Sequence, residues 1–307
     1  MGRLIIPTLS WDNENDIRAN VRHVVAGGDG GEIVFCMGRN GEYNVLHEEQ
    51  KHLNIDVTID EARKIKAEHR AKPFPLQVAV GVSEPTVEGT IKLAQYAEAQ
   101  GADILVLMPV FYSRRPSGKC TRHKNTQNTD RILAATSKPV ILYTHSGMQD
   151  GKHLRTDQVK AMCQRDRIVA LKASVCNGAR IRHYQKAAGD NAEVFIGDSA
   201  LGLRIPSAGV VAGDANVFPV AYKIAVERHY HEESAVGLLA GKLEALQEKY
   251  ASNSILGFKM ILHRLGITQS DTIFDPTLRP VADFSESIDA LMEEKAFKDT
   301  IALNISA

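Results

Sequence analysis

The sequence predicts an α/β fold: a (β/α)8 TIM barrel with a C-terminal helical extension. Short apolar, β-branched runs alternate with longer helical patterns through most of the chain. Glycines fall where helices should stop, and each is followed within a few residues by the next apolar run. Beyond the eighth run the pattern is helical only. Parallel strands need a crossover that returns the chain to the same edge, and a helix between successive strands supplies it. Eight such units close naturally into a barrel. An open doubly wound sheet is the alternative.

The first strand is read at 4–8, ahead of a helix at 16–26 that stops at Gly27-Gly28. Strand two, 32–37, leads through Gly38-Arg39-Asn40-Gly41-Glu42 to a helix at 58–71, where Thr58 offers a hydroxyl cap before Asp60 and Glu61. Strand three, 76–82, precedes a helix at 86–100 that ends on Gly101. Strand four, 104–109, runs into Phe111-Tyr112, then an irregular basic stretch at 113–130 and a helix at 129–135. That stretch, with Arg114, Arg115 and Lys119, is read as a solvated loop or subunit contact rather than a lid for an anionic substrate. Pro139 opens strand five, 140–144, as a residue lacking an N–H can. A helix at 156–164 starts with Thr156, and strand six occupies 168–174. The last units are a helix at 180–188 ending at Gly189, strand seven at 192–197, a helix at 201–207 and strand eight at 209–213. Helical patterns at 220–232, 235–250, 255–265 and 284–294 exceed one final crossover. The expected division is therefore a barrel at 1–225 and a helical extension at 226–307 packed on it.

With 307 residues the chain has material for a large core, and α/β barrels of this length form one domain. Its 37 basic and 37 acidic residues give no electrostatic reason to expect nucleic acid or an anionic membrane surface as partner. No apolar run is long enough to span a membrane, and the N-terminus has no signal-peptide pattern. The cysteines, Cys36, Cys120, Cys163 and Cys176, are scattered and form no CxxC pair, which reads as reduced thiols in a cytoplasmic protein. His47 and His52 stand about 140° apart on an ideal helix, so they do not make a zinc-binding HExxH pair. Gly27-Gly28-Asp29-Gly30-Gly31 precedes a strand instead of opening a helix, which is the wrong context for a nucleotide loop. His229 and His231 read as surface residues. No metal and no cofactor are expected.

In such barrels the functional groups sit at the C-terminal ends of strands and in the loops that follow. Lys172 ends strand six after Ile168, Val169, Ala170 and Leu171, so the strand is expected to be covered on both faces. A desolvated ammonium loses its proton more easily, and the neutral amine can attack a carbonyl. The plainer reading is a lysine whose head reaches water from the strand end. Tyr143 ends the neighbouring strand, where a phenol can relay protons or simply fill a barrel layer. The loop Gly38-Arg39-Asn40-Gly41 is a candidate anion cradle, its glycines freeing the backbone for unusual dihedrals and Arg39 adding a bidentate contact.

Taken together these segments resemble the dihydrodipicolinate synthase/N-acetylneuraminate lyase superfamily of class I aldolases. Gly38-Arg39-Asn40-Gly41-Glu42, followed by Leu46-His47-Glu48-Glu49, is similar to the family's GTTGE loop and LSxEE helix start. Ile141-Leu142-Tyr143 resembles its ILYN segment, and Val169-Ala170-Leu171-Lys172 its VGIK segment. Phe195-Ile196-Gly197-Asp198 and the run from Gly209 to Val217 resemble the later GxD and GVIS…AN segments. The resemblance extends to about Pro219 and more loosely through the C-terminal helices. It implies that Lys172 condenses with the ketone of pyruvate or another 2-keto acid, while Tyr143 shuttles protons. A further tyrosine after strand four, supplied by a neighbouring subunit, is implied at Tyr112, with Phe111 competing for the position. Substrate-binding positions are implied at Gly38, Arg39, Asn40, Gly41, Ser174, Gly197, Asp198 and Val211. A homo-oligomer, a dimer of dimers, is implied as well.

Three departures limit what carries over. Arg39 and Asn40 replace the two hydroxyl residues of the family loop, so one link of the proton relay is missing. Tyr143-Thr144-His145-Ser146-Gly147 lacks the proline and arginine that follow the tyrosine in dihydrodipicolinate synthases, which argues against lysine biosynthesis. Lys172 is followed by Ala173, not by an acidic residue, and the outer substrate pocket stays unassigned. The expected function is a class I aldolase or lyase acting on a keto acid. The alternatives are a 2-keto-3-deoxy sugar acid dehydratase using the same imine, or a non-catalytic keto-acid-binding member.

Overall fold

The computed structural model describes residues 2–71, 73–109, 122–145, 153–175, 177–228, 254–276 and 284–305. Eight strands in the order β1 to β8 form a closed barrel, as the alternating pattern predicts. They are β1 Arg3–Pro7, β2 Ile33–Cys36, β3 Gln77–Gly81, β4 Ile104–Leu107, β5 Val140–His145, β6 Ile168–Ser174, β7 Glu193–Ile196 and β8 Gly209–Val211. The intervening helices are α1 Glu14–Val25, α2 Glu48–Glu68, α3 Val87–Gln100, α4 Arg122–Ala134, α5 Thr156–Met162, α6 Gly178–Ala188 and α7 Ser199–Arg204. After α8 Pro219–Arg228 come α9 Ser254–Arg264, α10 Phe284–Glu293 and α11 Lys295–Ile305, the helical extension. The helix expected at 235–250 lies outside the described residues, as do Phe111, Tyr112, Cys120, Cys176, His229 and His231.

Two helix starts differ from the reading of the apolar period, although the first falls where the LSxEE-like segment at Leu46–Glu49 implies one. α2 begins at Glu48, well before Thr58, and is capped where the His47 N–H donates to Gln50 Oε1 at 2.9 Å. Its inward side carries Asn54, Thr58 and Glu61, so the apolar period that marks a buried helix face is broken. α4 likewise begins at Arg122, inside the stretch read as a basic loop. Helix stops follow expectation more closely. Gly101, with φ at 107°, ends α3, and its N–H reaches Ala97 O and Glu98 O. At the end of α1 the positive-φ stop expected at Gly27-Gly28 (φ 62° and 110°) is present, and it opens one residue earlier, on Ala26.

The chain divides into two compact units, 1–78 with 212–307 and 79–211, so the helices after 225 group with the first two strands. In the first unit β1 pairs with β2 in parallel, Ile6 opposite Val34. Polar side chains knit its interior. Asn20 Nδ2 donates to Asn216 Oδ1 at 3.2 Å, and Asn216 Nδ2 donates to Pro7 O at 2.8 Å. Trp11 is fully buried, its N–H held by Asn54 Oδ1 and its Nε1–H donating to Ser270 O. Each bond satisfies a group whose desolvation would otherwise cost stability.

In the second unit the pairing runs β3 to β8, parallel throughout. One irregularity matters for the chemistry. Val140 stands opposite Ile168, whereas Ile141 stands opposite Ala170, so β6 holds one extra residue, Val169. This is a β-bulge. Val169 is 38% exposed, which corrects the expectation that the strand is covered on both faces throughout.

Candidate active site

The bulge sets the register for everything that follows it in β6. Beyond it Tyr143 is directly opposite Lys172, and His145 directly opposite Ser174. Side chains two apart on a strand share a face, so Tyr143, His145, Lys172 and Ser174 project to one side. The other side is fixed by Thr144, whose Oγ1 accepts the Leu154 N–H at 3.0 Å. Tyr184 of α6 completes that anchor by donating its O–H to Leu154 O at 2.6 Å.

Lys172 is 6% exposed and Tyr143 4% exposed. The Lys172 Nζ lies 3.9 Å from the centre of the Tyr143 ring, inside cation–π range. On the next strand Phe195 stands opposite Lys172. Gly197 follows it on the same face, and its missing side chain is a requirement. A Cβ there would overlap Ser174 Oγ and stand 3.2 Å from Lys172 Cε. Asp198, expected as a binding residue, caps α7 by accepting the Leu201 N–H at 2.9 Å. Val211 ends β8 as a buried residue on the face shared by Phe195 and Gly197. The structure thus assembles Tyr143, Lys172, Ser174 and Gly197. Tyr112 lies outside the described residues.

The loop 38–42 belongs to the other compact unit. The Gly41 N–H donates to Gly38 O at 3.1 Å and the Glu42 N–H to Arg39 O at 2.9 Å. Those two amides close the turn on itself, so the expected run of converging N–H groups is shortened. The unusual dihedrals also fall elsewhere, on Met37 (φ 60°) and Glu42 (φ 51°). The glycines matter here for close approach. A Cβ at Gly38 would meet the Phe35 ring at 2.9 Å, and one at Gly41 would meet Ser10 Oγ at 2.9 Å. Arg39 is exposed at the tip and Asn40 half-buried against Gly213, where a Cβ would stand 2.5 Å from the Asn40 amide nitrogen.

Glu42 anchors the loop. Its Oε2 lies 2.6 Å from Lys259 Nζ on α9, and both side chains are shielded from water. Glu42 Oε1 accepts the Phe274 and Asp275 N–H groups at 2.8 Å, and Lys259 also donates to Thr272 O at 2.7 Å. Burial lowers the Lys259 pKa, and the Glu42 carboxylate opposes that shift. Sequence reasoning missed this pair because nothing local links residue 42 to residue 259. It also passed over His145, although the period of two after Tyr143 places an imidazole on the same face.

Thiol chemistry finds little support. Burial pushes the Cys36 thiol up to about 12 and the Cys163 thiol to about 11, so neither offers a thiolate near neutral pH. Among the described residues no group of three or more His, Cys, Asp or Glu side chains could hold a metal ion. Nor, among them, is any helix long and apolar enough to cross a membrane.

A parallel barrel with an amine and a phenol side by side at neighbouring strand ends defines a class, a scaffold for carbonyl chemistry on small molecules. The chain belongs to the dihydrodipicolinate synthetase family, whose model matches residues 12–295. That family includes Schiff-base class I aldolases and lyases acting on pyruvate and other keto acids. Among its relatives is the probable mitochondrial 4-hydroxy-2-oxoglutarate aldolase of Emericella nidulans, 26% identical over 226 residues, covering 70% of this chain and 69% of that protein. The 4-hydroxy-tetrahydrodipicolinate synthase of Clostridium novyi is 24% identical over 64% of this chain and 61% of its own length. Solved structures agree on the fold. A dihydrodipicolinate synthase superposes with a TM-score of 0.81 at 17% identity, covering 99% of this chain and all (100%) of the other. A prophage protein of that family from E. coli K12, in complex with pyruvate, gives 0.82 at 17% identity over 95% and 98% of the two chains.

Proposed function

We propose that the protein is a class I aldolase or lyase that binds pyruvate, or a longer 2-keto acid, as a Schiff base on Lys172. One observation carries the reading: a buried amine held 3.9 Å from a phenol ring, with the two residues in register on adjacent strands. A lysine in such surroundings is a suitable nucleophile. The neutral amine adds to the C2 carbonyl, and the carbinolamine loses water to give the iminium. Tyr143 supplies and recovers the protons of these steps. The iminium then accepts the electron pair released when the bond beyond C3 breaks, giving an enamine; protonation at C3 restores the iminium, which water hydrolyses to the keto acid and the free amine. Gly38, Arg39, Asn40 and Gly41 are assigned to the substrate carboxylate, with Arg39 supplying positive charge. Ser174, Gly197, Asp198 and Val211 are assigned to the remaining substrate contacts. Tyr112 is assigned to the relay, from a neighbouring subunit.

The experiment is reductive trapping. Borohydride added with pyruvate should leave a covalent adduct whose mass maps to the Lys172 peptide. No adduct with pyruvate or a panel of 2-keto acids, where a known aldolase is trapped, would overturn the reading. Pyruvate release separates an aldolase from a dehydratase on the same imine, which loses water instead. The same reading includes a cytoplasmic homo-oligomer, a dimer of dimers, which light scattering in solution tests. One structurally similar protein is a monomeric dihydrodipicolinate synthase variant, so the assembly needs its own measurement.

A further inference from the structure

We propose that His145 is a catalytic residue for the far end of the substrate. It is the base that takes the proton of the 4-hydroxyl when the C3–C4 bond of a 2-keto-4-hydroxy acid breaks. This rests on the Schiff-base reading of Lys172 and deepens it.

His145 is the last residue of β5 and shares the face of Tyr143, with ring centres 5.9 Å apart and ring planes at 83°. Register places it opposite Ser174, as Tyr143 is opposite Lys172. Two polar pairs therefore stack along the strands, one pleat apart, about 7 Å by the ordinary strand rise. Amine and phenol form the deeper pair, imidazole and hydroxyl the pair nearer the strand ends. The deeper pair is buried, whereas His145 and Ser174 are only half-buried. A ligand tethered to Lys172 and growing toward the strand ends passes the upper pair next.

The distances suit a short, specific substrate. In an imine on Nζ, the oxygen of a 4-hydroxyl lies about 5 Å from the nitrogen by standard bond lengths. The centre of the His145 ring lies at most about 10 Å from Nζ, since Nζ is 3.9 Å from the Tyr143 ring centre and that centre 5.9 Å from His145. A hydrogen bond of about 3 Å from a ring nitrogen closes the gap. Gly197 keeps the opposite wall clear, because any side chain there would displace Ser174. Imidazole is also the side chain whose ordinary pKa best fits proton transfer near neutral pH.

The step balances. A neutral imidazole nitrogen takes the hydroxyl proton, and the O–H electron pair becomes the C4=O double bond of a departing aldehyde. The C3–C4 pair forms the C2=C3 bond of the enamine, while the iminium nitrogen recovers its lone pair. The enamine is protonated at C3 and water hydrolyses the imine, releasing pyruvate and the free amine. The imidazolium returns its proton to the product or to water.

The test uses His145→Gln and His145→Val in the full chain, with two measurements on each. One is exchange of the pyruvate methyl protons in D2O, which needs only the imine and its enamine. The other is cleavage of 4-hydroxy-2-oxoglutarate to pyruvate and glyoxylate. Wild type is expected to do both. The variants should exchange within about threefold of wild type and cleave about 10²-fold more slowly or worse. Cleavage by either folded variant close to the wild-type rate would overturn the proposal. So would exchange and cleavage falling together in both variants, which would place His145 at the imine or in the fold. A wild type that exchanges but does not cleave would overturn this proposal and leave the Schiff base standing. A wild type that neither exchanges nor traps pyruvate would remove the Schiff base itself.

Discussion

Lys172 and Lys259 are two buried lysines in equally apolar sequence, and they meet different surroundings. Lys172 sits in Ala170-Leu171-Lys172-Ala173 on a strand, Lys259 in Gly257-Phe258-Lys259-Met260 on a helix. Their exposures are 6% and 0%. Lys259 faces a carboxylate at 2.6 Å and a carbonyl at 2.7 Å, so its charge is balanced and two of its three hydrogens are occupied. Lys172 faces a phenol ring at 3.9 Å. A buried ammonium against a carboxylate is a fastening, because the carboxylate holds the proton on the amine. Apolar flanks identify a desolvated lysine in both cases, and the tertiary surroundings tell the two apart.

Four variants test that contrast. Lys172→Met should lower turnover by about 10⁴-fold or more and abolish the borohydride adduct, because the nucleophile is gone. A melting curve close to wild type would confirm that the loss is chemical. Lys259→Met should do the reverse. It leaves the Glu42 carboxylate buried without its cation, at a cost of roughly 3–5 kcal/mol in urea unfolding. Adding Glu42→Gln, which keeps an acceptor for the Phe274 and Asp275 N–H groups, should recover at least half of that loss. A Lys259→Met protein as stable as wild type would break the comparison. Tyr143→Phe keeps the ring over Lys172 and removes the hydroxyl, so turnover should fall about 10²-fold with imine trapping slowed but present.

A further effect concerns a buried histidine. Burial holds the His23 pKa down to about 4, against weaker opposing pulls from the Val217 and Asn216 backbone. Its Nε2 is shielded without a protein partner. In the unfolded chain His23 takes up a proton near its ordinary pKa of about 6.5, before it does so in the fold. Stability therefore falls as the pH drops from about 6.5 toward about 4, and levels off below. His23→Leu should flatten that limb by about 3 kcal/mol in chemical unfolding measured across the window.

The eight strands were legible because parallel strands buried on both faces read as continuous apolar runs. The helices were less so. α2 hides its first turns from the apolar period because Asn54, Thr58 and Glu61 face inward, where Asn54 accepts the Trp11 N–H and Glu61 pairs with Arg18. The segments around Lys172 and Tyr143 were readable as two strands, but the register that sets the two residues opposite each other was not. The loop 38–42 was readable as a turn, whereas its internal hydrogen bonds and its anchor on Lys259 depend on contacts distant in sequence. The role of Gly197 was hidden for the same reason, since only the approach of Ser174 shows why a side chain is excluded.

Val169 gives the active-site strand an odd count. Ile168 and Ala170 are two residues apart yet stand on opposite faces, because the bulge between them inverts the phase of the strand. Deleting Val169 would straighten the strand and leave Lys172 opposite Tyr143. Absorbing Val169 into regular pairing would instead shift every later residue by one and turn the Lys172 amine to the outside of the sheet. The face that the amine occupies thus depends on where the strand takes its one irregular step, and not only on which residues it contains.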